Sequence, residues 1–230
     1  MAMGMTKEMD RLVRSSCTTA RKQRPTMHTL AIATAALATV LASTAQAGLV
    51  YASHVEQFSQ GLKRNGSSVD PSRSDPSKAL FSPQGNDTMN FVSLGMNGSL
   101  ILSFGSKFAT SVSVTETTYG NAAGHPESAQ IYVGVGAFWN TATWYLVGSV
   151  LNTADGSPMS LAAVNGISGT DAYDFLKIKD TTLSLSSTAS LDGFDVDGVS
   201  TFAVVPAPGA FALMGLAGII GGRRRREIVG

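Results

Sequence analysis

The sequence predicts an all-β fold, an antiparallel β-sandwich of jelly-roll type, with a short hydrophobic helix near each end of the chain. Between residues 48 and 203, short runs of alternating apolar and polar residues are separated by Gly, Asn, Asp or Pro. No stretch of ten residues in this part has helical periodicity. Regularly spaced short strands and turns are typical of sandwiches, and about 150 residues suffice for one buried core.

The strands of this body can be assigned in order. Residues 91–94 and 99–104 flank Asn97-Gly98, which predicts a hairpin because both residues tolerate positive φ. Val112 and Val114 alternate with polar residues and predict one buried strand face. The remaining strands are predicted within residues 111–117, 130–135, 143–147, 175–179, 183–185 and 199–205, which makes eight or nine in all. Long surface loops are expected over residues 61–81 and 189–198.

The N-terminal segment has the features of a secretory signal. A basic stretch, residues 21–24, precedes the uncharged apolar run 30–42, and small residues follow at Ala45 and Ala47. An apolar run of 13 residues is shorter than the roughly 20 needed to span a membrane. The order of these parts predicts a signal peptide with an extended basic leader, which signal peptidase cleaves before Gly48.

Charge is distributed unevenly along the chain. Residues 1–47 carry a net charge of +4 and residues 204–230 carry +3, whereas residues 48–203 carry −6. The chain therefore divides into a leader, an acidic β domain and a basic tail, and the acidic domain argues against nucleic acid as a partner. The single cysteine, Cys17, lies in the leader, so no disulfide stabilises the exported domain.

The C-terminal tail has three parts in a fixed order. Two prolines stop the last strand, the apolar stretch Ala210–Gly222 forms a short predicted membrane helix, and arginines follow it. The residues that define the two flanking parts are Val205, Pro206, Ala207 and Pro208, then Arg223, Arg224, Arg225 and Arg226.

This tail resembles the PEP-CTERM sorting signal of Gram-negative bacteria, with Ala207 where that family usually has Glu. The resemblance implies processing by an exosortase, transient insertion in the inner membrane, and a producer of exopolysaccharide. An ordinary C-terminal membrane anchor is the alternative. Under both interpretations the protein is exported to the cell envelope, the cell surface or the extracellular matrix.

The body also resembles a known group of secreted modules. The segments that carry the resemblance are residues 75–80, 99–104, 126–133, 144–148 and 193–199. In this order they are similar to bacterial galactose-binding-like sandwiches of discoidin or carbohydrate-binding type. The resemblance implies the fold and, as an expectation, binding of polysaccharide.

An acidic cluster is the main candidate for a functional site, which would bind a metal ion. Asp195 and Asp197 are two residues apart, so in a strand both carboxylates face one side about 7 Å apart, and Asp192 precedes them. Such charges repel each other unless a cation is present, and Ca²⁺ prefers oxygen ligands. Candidates to complete the shell are Asp75, Asp87 and Glu116. The alternative is an exposed acidic turn in which one Asp accepts backbone N–H groups.

We expect a binding protein rather than an enzyme. The exported body has two histidines and no nucleophile-elbow motif, and no histidine pair has the spacing of zinc ligands. Trp139 is the candidate ring for a sugar, with a core-covering role as its alternative. A polysaccharide hydrolase that uses Glu116 and Glu127, or a purely structural surface module, remains an alternative function.

Overall fold

The structure is a computed structural model that describes residues 48–85, 89–118 and 121–204. The chain divides into a unit of residues 1–43, outside these ranges, and a unit from residue 44 onwards that contains everything described below. In the described ranges, no helix has the length and apolarity needed to cross a membrane.

Several sequence predictions lie outside the described residues. They are the signal peptide, the Val205–Pro208 motif, both terminal helices and the cluster Arg223–Arg226. Gly48, which follows the predicted cleavage point, is the first described residue and is exposed. These sorting features therefore stay predictions.

The described chain forms ten strands and one short helix. The strands are β1 (Leu49–Tyr51), β2 (His54–Ser59), β3 (Val92–Ser93), β4 (Ser99–Thr115), β5 (Ser128–Val135), β6 (Thr143–Leu151), β7 (Met159–Ser160), β8 (Tyr173–Asp180), β9 (Asp195–Val196) and β10 (Gly198–Ala203). The helix is α1 (Ala162–Ser168). Short 3-10 turns cover Pro71–Arg73, Pro76–Ala79, Trp139–Thr141, Asn152–Ala154 and Thr182–Ser184.

All strand pairs described are antiparallel, which confirms the predicted all-β antiparallel body. The main sheet has the order β1-β10-β4-β8-β5-β6, and β2 and β7 also pair with β4. Strands β3 and β9 form a second, two-stranded sheet. The jelly-roll arrangement is a finer prediction that these pairings do not decide.

The 17-residue strand β4 holds the sheet together. Its first part, residues 99–103, lies between β2 and β8, and its last part, residues 108–115, pairs with β10. Gly105 has φ of +70° between the two parts, a backbone conformation that glycine adopts without a steric penalty. The change of partners at this point lets one strand contribute to two parts of the sheet.

One hydrophobic core lies against one face of these strands, as the alternation predicts. Val112 and Val114 of β4 are buried, together with the alternating residues of β5 and β8. The fully buried members from these three strands include Leu100, Leu102, Phe108, Ile131, Val133, Leu176 and Ile178. The prediction of which strand face is buried is therefore confirmed for β4, β5 and β8.

The predicted hairpin at Asn97-Gly98 is wrong, although the turn is present. Asn97 has φ of +62°, and the Gly98 N–H donates to the Gly95 carbonyl at 3.0 Å. The flanking strands do not pair with each other, because β3 pairs with β9 while β4 pairs with β2 and β8. The predicted strand at residues 183–185 is also wrong, since this segment begins with a 3-10 turn.

The turn before β4 requires glycine at position 98. A Cβ atom there would overlap the backbone carbonyl of Leu94. We therefore expect Gly98→Ala to lower the free energy of unfolding by about 1–3 kcal/mol or more, measured by urea unfolding of the full-length chain. Gly166→Ala is the matched control, because Gly166 lies in α1 with open space around its Cβ position and should gain about 0.5–1 kcal/mol. Equal stability of the two variants would contradict this account.

Candidate acidic site

Three buried carboxyl groups converge at one end of the strands. Glu116 directly follows β4, Glu127 directly precedes β5, and Asp195 begins β9. They are only 3%, 4% and 5% exposed, and one oxygen of each lies within 4.8 Å of the others. Residues distant in sequence thus form one compact acidic cluster, termed the carboxylate trio.

Hydroxyl groups position two members of the carboxylate trio. The Ser190 hydroxyl donates to Oε1 of Glu127 at 2.8 Å. The Ser93 hydroxyl, on β3, donates to Oδ1 of Asp195, its pairing partner on β9. The small β3–β9 sheet therefore fixes where the Asp195 carboxyl lies.

Three buried oxygens at or next to the trio accept no hydrogen bond from an N–H or hydroxyl group in the described part of the chain. They are Oε1 of Glu116, Oε2 of Glu127 and the hydroxyl oxygen of Thr117. The carboxyl groups of Glu116 and Glu127 hydrogen-bond to each other while one of them is protonated, so their oxygens need another partner, such as a cation, only in the ionised form.

Burial controls the protonation of the trio. Removal from water, and next the negative charge of Asp195, raise the pKa of Glu116 to about 9. Burial, and next the charge of Glu116, raise the pKa of Glu127 to about 9. Burial followed by repulsion from Glu127 also raises the pKa of Asp195 well above its ordinary range. Without a cation the trio therefore retains protons at neutral pH, whereas a bound cation would favour the ionised form.

A cavity of about 380 Å³ opens beside the trio. Glu127, Asp195 and Thr117 line it, so two of the three carboxyl groups lie along its wall, although the Thr117 hydroxyl oxygen itself is buried. Asn121 and His125 add polar groups to its wall. This volume is in the range of small-molecule binding sites, which combine an apolar lining with a few placed polar groups.

Asp192, a predicted metal ligand, lies on the cavity wall but outside the trio. Its Oδ2 forms an ion pair with Nη1 of Arg73 at 2.7 Å. The Arg73 guanidinium also lies 5.2 Å from the centre of the Phe91 ring. Because it is paired with Arg73, Asp192 is placed to contact a ligand in the cavity rather than to bind a metal ion together with the trio.

The other predicted acidic ligands lie elsewhere. Asp75 is exposed and caps the 3-10 turn at Pro76, where it accepts from the Ser77 backbone N–H at 3.0 Å. Asp197 is buried and accepts from the backbone N–H groups of Gln84 and Gly85 at 3.0 and 2.8 Å. The expectation that Asp195 and Asp197 act together is not met by this geometry, because backbone donors from another loop take the second carboxylate. Asp87 lies outside the described residues.

Trp139 lies away from the cavity. It begins the 3-10 turn Trp139–Thr141 between β5 and β6, where it is half-buried, next to Phe138, which is 68% exposed. Its predicted role as a sugar-stacking ring stays a prediction.

From the sequence, Glu127 is predicted only as half of a hydrolase pair, and Thr117, Ser93 and Arg73 are not predicted as site residues. The sequence contains one indication that Glu127 lies near Glu116. Glu127 precedes the alternating strand β5, just as Glu116 follows the alternating strand β4. The signal was incomplete because β8 lies between these two strands in the sheet, so sequence position alone does not bring the two residues together.

No protein-family model matches the chain, and no curated protein sequence matches it. Among solved structures, a truncated AlyQ with CBM32 and alginate lyase domains is similar over 70% of this chain and 35% of that chain, with 11% identity and a TM-score of 0.40. A GH31 CBM32-2 bound to GalNAc is similar over 70% of this chain and 100% of that chain, with 8% identity and a TM-score of 0.30. The chain thus spans about a third of the first protein. Both TM-scores are below 0.5, so neither likeness identifies a family for this chain.

Proposed function

We propose that this protein is an exported, non-enzymatic β-sandwich module of galactose-binding-like type that binds calcium and polysaccharide at the cell surface or in the extracellular matrix. Calcium binds the carboxylate trio, and the saccharide binds in the adjoining cavity. The predicted sorting tail delivers the module through an exosortase after signal peptidase has removed the leader.

The observation that carries the calcium proposal is the convergence of three buried carboxyl groups, with one oxygen of each within 4.8 Å of the others. Ca²⁺ takes six to eight oxygen ligands at about 2.3–2.6 Å, mostly carboxylates, carbonyls and waters. Glu116, Glu127 and Asp195 offer carboxylate oxygens, and the Thr117 hydroxyl lies next in sequence to Glu116. A cation would supply the missing partner of these atoms and remove the repulsion among the three carboxylates.

The cavity supports saccharide binding beside the cation. A calcium ion at the trio would have open coordination positions towards the cavity, where sugar hydroxyls can enter. The Arg73–Asp192 pair offers both donors and acceptors on the wall, and Asn121 adds an amide. Sugars are recognised by such sets of hydrogen-bonding groups.

A polysaccharide hydrolase is the second candidate, because protonated Glu127 on a cavity wall has the form of a general acid. Glycosidases, however, place two carboxyl groups on either side of the scissile bond in an open cleft. Of the predicted pair, Glu127 lines the cavity, whereas Glu116 is buried and is not among the lining residues. This arrangement favours chelation over a cleavage site.

Calcium should stabilise the protein substantially. At a calcium concentration 100 times the dissociation constant, the gain is about 2.7 kcal/mol, which corresponds to a rise in Tm of roughly 5–10 °C for a domain of this size. The measurement is thermal unfolding of the full-length chain by circular dichroism, in calcium and in EDTA. Glu127→Gln should abolish the rise, whereas Asp75→Asn, which removes a carboxylate outside the trio, should retain it.

Three outcomes would overturn the proposal. No calcium-dependent rise in wild-type Tm would leave a purely structural module, and an equal rise in the Glu127→Gln variant would show that calcium binds outside the trio. Release of new reducing ends from a polysaccharide by the wild type, but not by Glu127→Gln, would instead support the hydrolase. Under the calcium proposal, EDTA should weaken binding of a neutral galactose oligomer without any cleavage.

A further inference from the structure

A second cluster of polar, basic and aromatic side chains lies on the sheet face opposite to the core. In β8, Leu176 and Ile178 point into the core, so Lys177 and Lys179 lie on the other face. In the register of β5 and β8, Lys177 pairs with Tyr132 and Lys179 pairs with Gln130. Trp144 of β6 joins them, and these five residues are called the basic aromatic face: Gln130, Tyr132, Trp144, Lys177 and Lys179.

The aromatic rings of this face are held in place. The Trp144 ring covers Gly134, where an added Cβ would lie 2.8 Å from a ring carbon. The Tyr132 hydroxyl donates to Oε1 of Gln130 at 2.7 Å. The Lys177 ammonium lies 4.7 Å from the centre of the Tyr132 ring and 4.4 Å from that of Trp144, in cation–π contact with both. The charge of Lys177 is therefore fixed rather than carried on a freely rotating side chain.

Within the described ranges, the two lysines of this face have no acidic partner. Lys107 and Arg73 each form an ion pair with an aspartate, but among the described residues no carboxylate lies within ion-pair distance of Lys177 or Lys179. Two residues apart in a strand, these lysines are about 7 Å apart. Burial, and next the charge of Lys179, lower the pKa of Lys177. Two unpaired like charges on an otherwise acidic domain are complementary to an anion.

We infer that the basic aromatic face is a second ligand site, which binds a saccharide chain bearing carboxylates. The carboxylates pair with Lys177 and Lys179, and the sugar rings contact the exposed parts of Tyr132 and Trp144. The side-chain amide of Gln130 and the hydroxyl groups of neighbouring serines are available to form hydrogen bonds with sugar hydroxyls. This site goes beyond the proposed function, because it lies on a different set of residues from the carboxylate trio and needs no calcium.

The small number of lysines on this face favours a carboxylated saccharide over other polyanions as its ligand. Nucleic-acid binders neutralise many phosphates, and membrane-surface sites use clusters of four to eight basic residues. The face has two lysines on a domain whose net charge over residues 48–203 is −6. A polymer with isolated carboxylates among neutral hydroxyls fits two cations and adjacent rings better than a dense row of phosphates does.

The test compares two probes of equal length, a galacturonic acid oligomer and a neutral galactose oligomer. Binding to the full-length chain is measured by isothermal titration calorimetry in EDTA, so that the calcium site is empty. The acidic oligomer should bind, and the double variant Lys177→Gln/Lys179→Gln should weaken it about tenfold or more, the usual size for loss of a charged contact. Lys63→Gln, which removes a lysine outside the face, should leave the affinity unchanged.

Several results would overturn this inference. They are equal affinity for the acidic and neutral oligomers, unchanged affinity in the double variant, or stronger binding of single-stranded DNA or anionic phospholipid vesicles than of the acidic oligomer. The calcium-dependent rise in Tm should persist in the double variant. Loss of acidic-oligomer binding with an intact calcium-dependent rise in Tm would therefore show that this face and the carboxylate trio act independently. Binding of the acidic oligomer without any calcium-dependent rise in Tm would contradict the calcium proposal alone.

Discussion

Without calcium, stability should fall steadily as pH rises from about 4.5 to about 9. In the unfolded chain Glu116 and Glu127 lose their protons near their ordinary pKa of 4.5, whereas in the folded protein the pKa of each is about 9. Between these values the folded state binds more protons than the unfolded state, so raising the pH favours unfolding. The expected slope is on the order of 1 kcal/mol per pH unit for each carboxyl that stays protonated.

Urea unfolding in EDTA at several pH values measures this slope. The other charges that act on the trio, those of Asp155, Asp192 and Arg73, are unchanged in the test. The variant Glu116→Gln/Glu127→Gln should have a flatter profile, because neutral amides do not titrate and Asp195 is then the one titrating member of the trio. Calcium should stabilise the wild type more at pH 8 than at pH 5.5, because it binds the ionised form. If the free energy of unfolding of the wild type in EDTA is constant or rises with pH between about 4.5 and about 9, the trio is not protonated in the folded protein as described.

Replacing Asp180 by alanine should destabilise the protein by roughly 3 kcal/mol or more. Asp180 is fully buried at the end of β8, and its carboxylate accepts three hydrogen bonds. The donors are the backbone N–H groups of Asn97 and Phe194, both at 2.9 Å, and the Thr182 hydroxyl at 2.6 Å. Each buried donor left without a partner costs about 1–3 kcal/mol.

Asp171→Ala is the matched control for this prediction. Asp171 is exposed, precedes the same strand, and should change the free energy of unfolding by less than about 0.5 kcal/mol. Urea unfolding of both variants makes the comparison. A loss in Asp180→Ala no larger than in Asp171→Ala would show that the three donors find other partners. Because Asn97 precedes β4 and Phe194 precedes β9, the variant should also loosen the loop that positions Asp195.

The faces of the longer strands could be predicted from the sequence because side chains alternate regardless of the pairing partner. Val112, Val114, Ile131 and Val133 are buried for this reason. Pairing partners could not be predicted in the same way. Asn97-Gly98 is a local turn signal, but Leu94 hydrogen-bonds to Phe194, about 100 residues later, and that contact assigns β3 to β9.

The candidate site was predictable in part for a related reason. Glu116 and Asp195 are predicted metal ligands that the structure brings together. Asp75 and Asp197 are also predicted ligands, but they instead accept backbone N–H groups, as acidic residues in turns commonly do. The order Asp75-Pro76-Ser77 is a local capping signal, because Pro favours the first position of a helical turn, whereas nothing in local sequence distinguishes Asp195 from Asp197. The difference arises from which loop, such as residues 84–85, lies against each carboxylate in the folded chain.

The pairing of β1 with β10 has a consequence for the order of events in the cell. Leu49 lies opposite Phe202, so the first and last strands of the body are neighbours. The main sheet is complete only when nearly the whole body has been synthesised, and contacts between such distant segments form slowly. The export proposed for this chain would benefit from this delay, because premature folding in the cytosol would block passage through a translocation channel.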